Sequence, residues 1–207
     1  MRYTKNNNAA GFNLIELIVS MAVLAILASL AAPSFISFFD KKRVVSAAED
    51  LYGILQQARS ESISRSNNIY IKFSGTTPGA TWQYGLSSNQ NCDLTKTDPS
   101  VANANACVLV IDDGDGTLDD GSATIDNADL FLYRFSNADY TGVKMNSASN
   151  TEITFNPMRG TASPATDIEL ESAEGLKMRL KVNVLGRIRI CSPAGSGYIS
   201  GYDSTGC

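Results

Sequence analysis

Histidine is absent from this chain of 207 residues. Its absence removes the commonest general base, the usual proton relay and the commonest metal ligand together. No serine or cysteine nucleophile has an identifiable base, and the scattered Asp and Glu residues form no recognisable catalytic set, so an enzyme is not expected. Positive charge is in short supply: 17 Lys and Arg stand against 21 Asp and Glu, a net charge of −4. That balance argues against a generally polyanion-binding surface, although local basic patches can still form. None of the four cysteines sits in a CxxC pair, which weakens zinc and thioredoxin-like readings. Internal repeats and an interdomain linker are not visible, and the length suits one membrane-anchored domain better than two.

Charge of either sign is also missing between Glu16 and Asp40. Residues 12–39, FNLIELIVSMAVLAILASLAAPSFISFF, exceed the roughly 20 residues a membrane-spanning helix needs. Arg2 and Lys5 precede the run, which places the N terminus in the cytoplasm by the positive-inside rule. A secretory signal peptide would carry its small residues after a shorter apolar core; here Ala9-Ala10-Gly11 come before it. A plain membrane anchor leaves Glu16 unexplained. A carboxylate in such a segment costs about 2.5–3.5 kcal/mol on insertion scales, so it needs a partner.

Cys92, Cys107, Cys191 and Cys207 all follow the membrane segment. An even number in that position points to an oxidising compartment and two disulfides, with free buried thiols as the alternative. Four cysteines allow three pairings; nearness in sequence favours Cys92–Cys107 and Cys191–Cys207.

Val44, Ala48, Leu51, Leu55 and Ala58 recur at spacings of three and four, which continues the helix as an amphipathic one over 40–66. Ser66-Asn67-Asn68 are expected to end it. Strands are expected over 69–73, 82–86, 107–111, 130–135 and 152–155, where β-branched and aromatic residues concentrate. Residues 87–106 read as a polar surface loop clipped by a disulfide.

The string Gly11-Phe12-Asn13-Leu14-Ile15-Glu16-Leu17 resembles the class III signal of type IV pilins and type II secretion pseudopilins. The resemblance implies cleavage after Gly11 by a prepilin peptidase, leaving a leader of residues 1–11, and N-methylation of Phe12. It implies that Glu16 pairs with the N-terminal amine of a neighbouring subunit, and Pro33 falls where many members carry a kinking proline. Electrostatics agrees: a buried carboxylate is tolerable opposite an ammonium and costly alone. Further segments resemble the GspH/FimT family of minor pilins and pseudopilins: Trp82-Gln83-Tyr84-Gly85, Val110 to Thr117, Ile153 to Gly160, and Leu185 to Cys191. The implied fold is α+β, a long N-terminal helix (residues 12–39 transmembrane, 40–66 amphipathic) packed on an antiparallel β-domain over 67–207. The implied partners are major and minor pilins, the prepilin peptidase and the inner-membrane assembly platform. The implied location is the bacterial inner membrane, then the filament. No cofactor is implied.

Two further stretches carry candidate chemistry. The run from Asp112 to Asp120 places Asp113 and Asp115 at alternate positions before Gly116, as a hard cation requires. Aligned as a calcium loop, Ile111 falls at the first ligand and Ser122 at the last. A solvated turn is the simpler reading and a weak calcium site the alternative. In 176–184, Lys177, Arg179 and Lys181 alternate with apolar residues, which puts them on one face of a strand. Gly186 permits a turn into Arg187 and Arg189. Five cations on adjacent strands could track phosphates, and Gly186-Arg187-Ile188-Arg189 matches a motif associated with DNA capture in FimT-like pilins. Against this, alternating charge commonly just keeps a strand soluble, and Glu169, Glu171 and Glu174 lie nearby. The expected role is therefore a minor type IV pilin at or near the filament tip, with DNA capture as an added function and a type II secretion pseudopilin as the alternative.

Overall fold

The structure is a computed structural model that describes residues 13–75, 81–99, 105–110 and 130–207. One helix, α1 (Leu14–Ser64), is followed by eleven short strands among the described residues. The chain divides into two compact units, Met1–Phe39 and Asp40–Cys207.

In the first unit, Asn13 starts the helix. Its carbonyl accepts from the amides of Glu16 (3.0 Å) and Leu17 (3.2 Å), and its side-chain Oδ1 accepts from the Ile15 amide at 3.4 Å. An Asn at this position satisfies donors that the helix leaves unpaired. The segment is long and apolar enough to cross a membrane.

In the second unit the helix is amphipathic. Val44, Ala48, Leu51, Leu55 and Ala58 are fully buried, as their spacing predicts, and Ala47 joins them. Helix α1 ends at Ser64, earlier than the polar stretch 66–68 alone indicated. Ser66 adopts φ 51°, the amide of Asn67 reaches back to the Ser62 carbonyl and that of Ser66 to Ile63. This is the paired hydrogen-bond pattern that closes helices through a left-handed residue, here a serine in place of the usual glycine.

The strands form three antiparallel groups. The first, in order β5-β2-β1-β7-β8, joins β5 (Arg134–Ser136), β2 (Gln83–Ser87), β1 (Ile69–Ser74), β7 (Glu152–Asn156) and β8 (Thr161–Ser163). The second, β11-β10-β9-β6, joins β11 (Ile188–Cys191), β10 (Lys177–Val182), β9 (Thr166–Glu171) and β6 (Lys144–Ala148). The third is the pair β3 (Val108–Val110) and β4 (Leu130–Leu132). The single strand expected over 130–135 is thus two. Tyr133 breaks it: its amide donates to Cys107 and its carbonyl accepts from Leu86, so β4 pairs with β3 and β5 with β2.

One apolar cluster links the helix to both larger sheets, through Leu51 and Leu55 from α1, Ile71 and Phe155 from one sheet, and Ile168 and Leu180 from the other. Trp82 lies in it, stacked on Tyr140, with its indole N–H donated to the Val143 carbonyl at 2.9 Å. Both disulfides favoured by sequence proximity are formed, Cys92–Cys107 and Cys191–Cys207. The first packs with Leu94 in a separate small cluster.

Candidate functional site

From Leu14 to Phe39 every large apolar side chain described is exposed, including Leu14 at 76% and Leu30 at 71%. A helix apolar on all sides is stable only when something covers it, lipid or other helices. Two hydroxyls within this stretch are satisfied by the helix itself: Ser20 and Ser29 donate to the carbonyls of Leu17 (2.9 Å) and Ile26 (2.7 Å). Such internal pairing is what a water-free environment demands. Glu16 stands in the first turn of α1 and is exposed. A carboxylate there is favoured by the positive end of the helix dipole, and its side chain is open to a partner. Gly11 and Phe12, the expected cleavage and methylation positions, lie outside the described residues, as do Asp113 and Asp115.

The basic strands have carboxylates set among their cations. Lys177, Arg179 and Lys181 do share the outer face of β10, since Met178, Leu180 and Val182 are buried. The neighbouring strand β9 sets a carboxylate opposite each one: Glu171, Glu169 and Asp167. Ion pairs follow from that register, with Arg179–Glu169 at 2.5 Å, Lys177–Glu169 at 3.5 Å, Lys177–Glu171 at 3.7 Å and Lys181–Asp167 at 3.7 Å. The C-terminal tail, tied back by Cys191–Cys207, occupies the same face. Arg179 donates to the main-chain oxygen of Cys207 (2.5 Å), Lys181 to that of Gly206 (3.1 Å), and Arg189 to Thr205 O (3.3 Å) and the Asp203 carboxylate (2.9 Å).

Glu169 is the centre of this ladder. Burial opposes its ionisation, yet hydrogen bonds from Arg179 and Asn146 and the charges of Lys177 and Arg179 outweigh burial and hold its carboxyl below the usual range. Asp203 is lowered as well, first by the Thr205 amide and then by Arg189. Four of the five cations are therefore paired with carboxylates. Arg187 alone among them has no ion pair among the described residues; it is exposed in the turn before β11. The signal for this pairing is present in the sequence. Asp167, Glu169 and Glu171 alternate with the same period as Lys177, Arg179 and Lys181, and two oppositely charged alternating runs separated by a turn make a matched hairpin.

Comparison with known proteins locates the chain. The family model described as Type II transport protein GspH matches residues 47–186, and the one described as Prokaryotic N-terminal methylation motif matches residues 6–32. No curated protein matches the chain. Two crystal structures of the Pseudomonas aeruginosa type IV minor pilin FimU, in space groups P21 and P65, are similar at 19% identity. They cover 78% and 75% of this chain and 99% and 100% of their own, with TM-scores of 0.46 and 0.42. The GspH model spans well over half of the chain and the methylation motif covers the start of its apolar helix; the chain belongs to the GspH family of minor pilins and pseudopilins.

Proposed function

We propose that this protein is a minor type IV pilin, made as a membrane-inserted precursor with its N terminus in the cytoplasm, cut between Gly11 and Phe12, and built into a filament at or near its tip. Its work is assembly. The new amino group of Phe12 and the carboxylate of Glu16 on an adjacent subunit neutralise each other while the apolar helix moves from lipid into a core of like helices. The observation that carries this reading is the uncovered apolar helix with a single carboxylate in its first turn. The match of the methylation motif to residues 6–32 supports the same site of processing.

The test is Glu16→Ala. Membrane insertion continues, because the change makes the segment more apolar. Incorporation falls by two orders of magnitude or more, since an uncompensated buried ammonium costs about 3–5 kcal/mol. Normal incorporation of that variant removes the docking role. A pseudopilin of a type II secretion system is the second reading, in keeping with the description of the matching family; a secretion defect without a pilus defect on deletion would favour it. DNA capture has narrower support, because of the five cations only Arg187 has no ion pair among the described residues. Its test is the salt dependence of DNA binding by the full chain, which Arg187→Ala should flatten.

A further inference from the structure

We propose that the end of the β-domain built from the β7–β8 turn, the β10–β11 turn and the last turn of α1 is a docking face for a neighbouring protein subunit with carboxylates around an apolar contact. The proposal rests on the assembly reading above and names a surface for it.

Both turns are fixed by an asparagine and a glycine, which leaves their tips without structural duties. In the first, Asn156 accepts from the amides of Met158 (Oδ1, 3.0 Å) and Gly160 (carbonyl, 2.9 Å). In the second, Asn183 Oδ1 accepts from Leu185 (3.1 Å) and Arg187 (2.9 Å), and its carbonyl from Gly186 (2.9 Å). The turns touch: a Cβ on Gly186 would lie 1.8 Å from the Gly160 carbonyl oxygen, and the amide of Ala162 donates to Val184 at 3.2 Å. Helix α1 locks onto both. Arg59 Nε donates to the Gly160 carbonyl at 3.1 Å, and the Ile63 side chain lies against Gly160.

Polar residues normally occupy such tips. Here Met158 is 88% exposed, Leu185 68%, Val184 59% and Ile63 49%. Four large apolar side chains on three mutually braced segments form a patch rather than scattered exposure. Arg59, Arg159 and Arg187 flank it, and none of them has an ion pair among the described residues. An aliphatic centre beside two exposed guanidinium groups, Arg159 and Arg187, without carboxylate partners among the described residues suits a protein partner that supplies acidic groups. A nucleic acid fits it poorly, since Met, Val, Leu and Ile offer no ring for bases to stack on and phosphates cannot cover apolar surface. The backbone of both turns is already held by hydrogen bonds, so it has little left to order on contact.

The experiment uses the full chain in its native cells with the photo-crosslinker p-benzoylphenylalanine at Leu185, and at exposed Ala194 as a control. The expected result is a Leu185 adduct with another pilin-type subunit, mapped by mass spectrometry to a segment bearing Asp or Glu. The Ala194 probe should not form it. Arg159→Glu with Arg187→Glu should lower its yield about tenfold. The Arg159→Ala, Arg187→Ala pair should lower it less, and stands in if the reversal does not accumulate. A nuclease-sensitive adduct, an adduct to a second copy of this chain or to a segment without carboxylates, an unchanged yield in both arginine pairs, or no adduct from chain recovered in filaments would each overturn the proposal. Glu16→Ala separates the two claims: its normal incorporation refutes the assembly reading, whereas an arginine-independent Leu185 adduct refutes only the docking face.

Discussion

Removing the carboxylate of Glu169 should loosen the whole outer face of the β11-β10-β9-β6 sheet. Glu169 is 7% exposed and accepts from Arg179 at 2.5 Å and Asn146 at 2.8 Å, with Lys177 at 3.5 Å. Hydrogen bonds to a charged group contribute about 1.5–3 kcal/mol each. The two cations are half-exposed and can turn to water, so Glu169→Ala should cost about 2–3 kcal/mol rather than the sum. For a folded unit of this size that lowers Tm by roughly 5–10 °C. The assay is thermal unfolding of the full chain in detergent, followed by circular dichroism with disulfides intact. The pH dependence has a definite sign. The carboxyl of Glu169 titrates below its ordinary value of 4.5 when folded, so the stability it contributes is fully present above about pH 4.5 and is lost as pH falls through the lower folded value. Glu169→Gln cannot ionise, so the gap between wild type and this variant should be widest at pH 7 and should shrink as pH falls below 4.5 and through the lowered folded value. A Glu169→Ala cost under about 0.5 kcal/mol at pH 7, or a Glu169→Gln gap that stays constant into acid, would refute the reasoning.

Other changes test other parts of the structure. Gly186→Ala places a methyl on a residue at φ 73° and against the Gly160 carbonyl; a loss of at least about 2 kcal/mol is expected, measured by denaturant midpoint. Replacing Cys191 and Cys207 together by serine opens a 16-residue separation and should cost about 3 kcal/mol. In the same variant the tail should become sensitive to protease, which limited proteolysis with mass mapping can read.

The features most legible in the sequence were those repeated along one element. Spacings of three and four placed Leu51 and Leu55 in the core, and strict alternation placed Lys177, Arg179 and Lys181 on one strand face. Contacts between elements were harder to read. The split at Tyr133 depends on hydrogen bonds to Cys107 and Leu86, which are remote in sequence. Strands β6 and β8, Lys144–Ala148 and Thr161–Ser163, are short and polar, with no local pattern to mark them; partner strands hold them in place. The neutral state of the basic face depends on which strand neighbours β10 and on where the tail returns. Both are settled by tertiary packing and by a disulfide, not by the cationic motif itself. The patch at Met158 and Leu185 likewise joins turns far apart in the chain.

The most direct measurement is the intact mass and N-terminal sequence of the protein recovered from sheared filaments. The expected chain begins at Phe12, carries one methyl group on its α-amine and retains two disulfides. Recovery of the chain with residues 1–11 still attached and Phe12 internal would contradict it, because Glu16 would then have no new ammonium to meet.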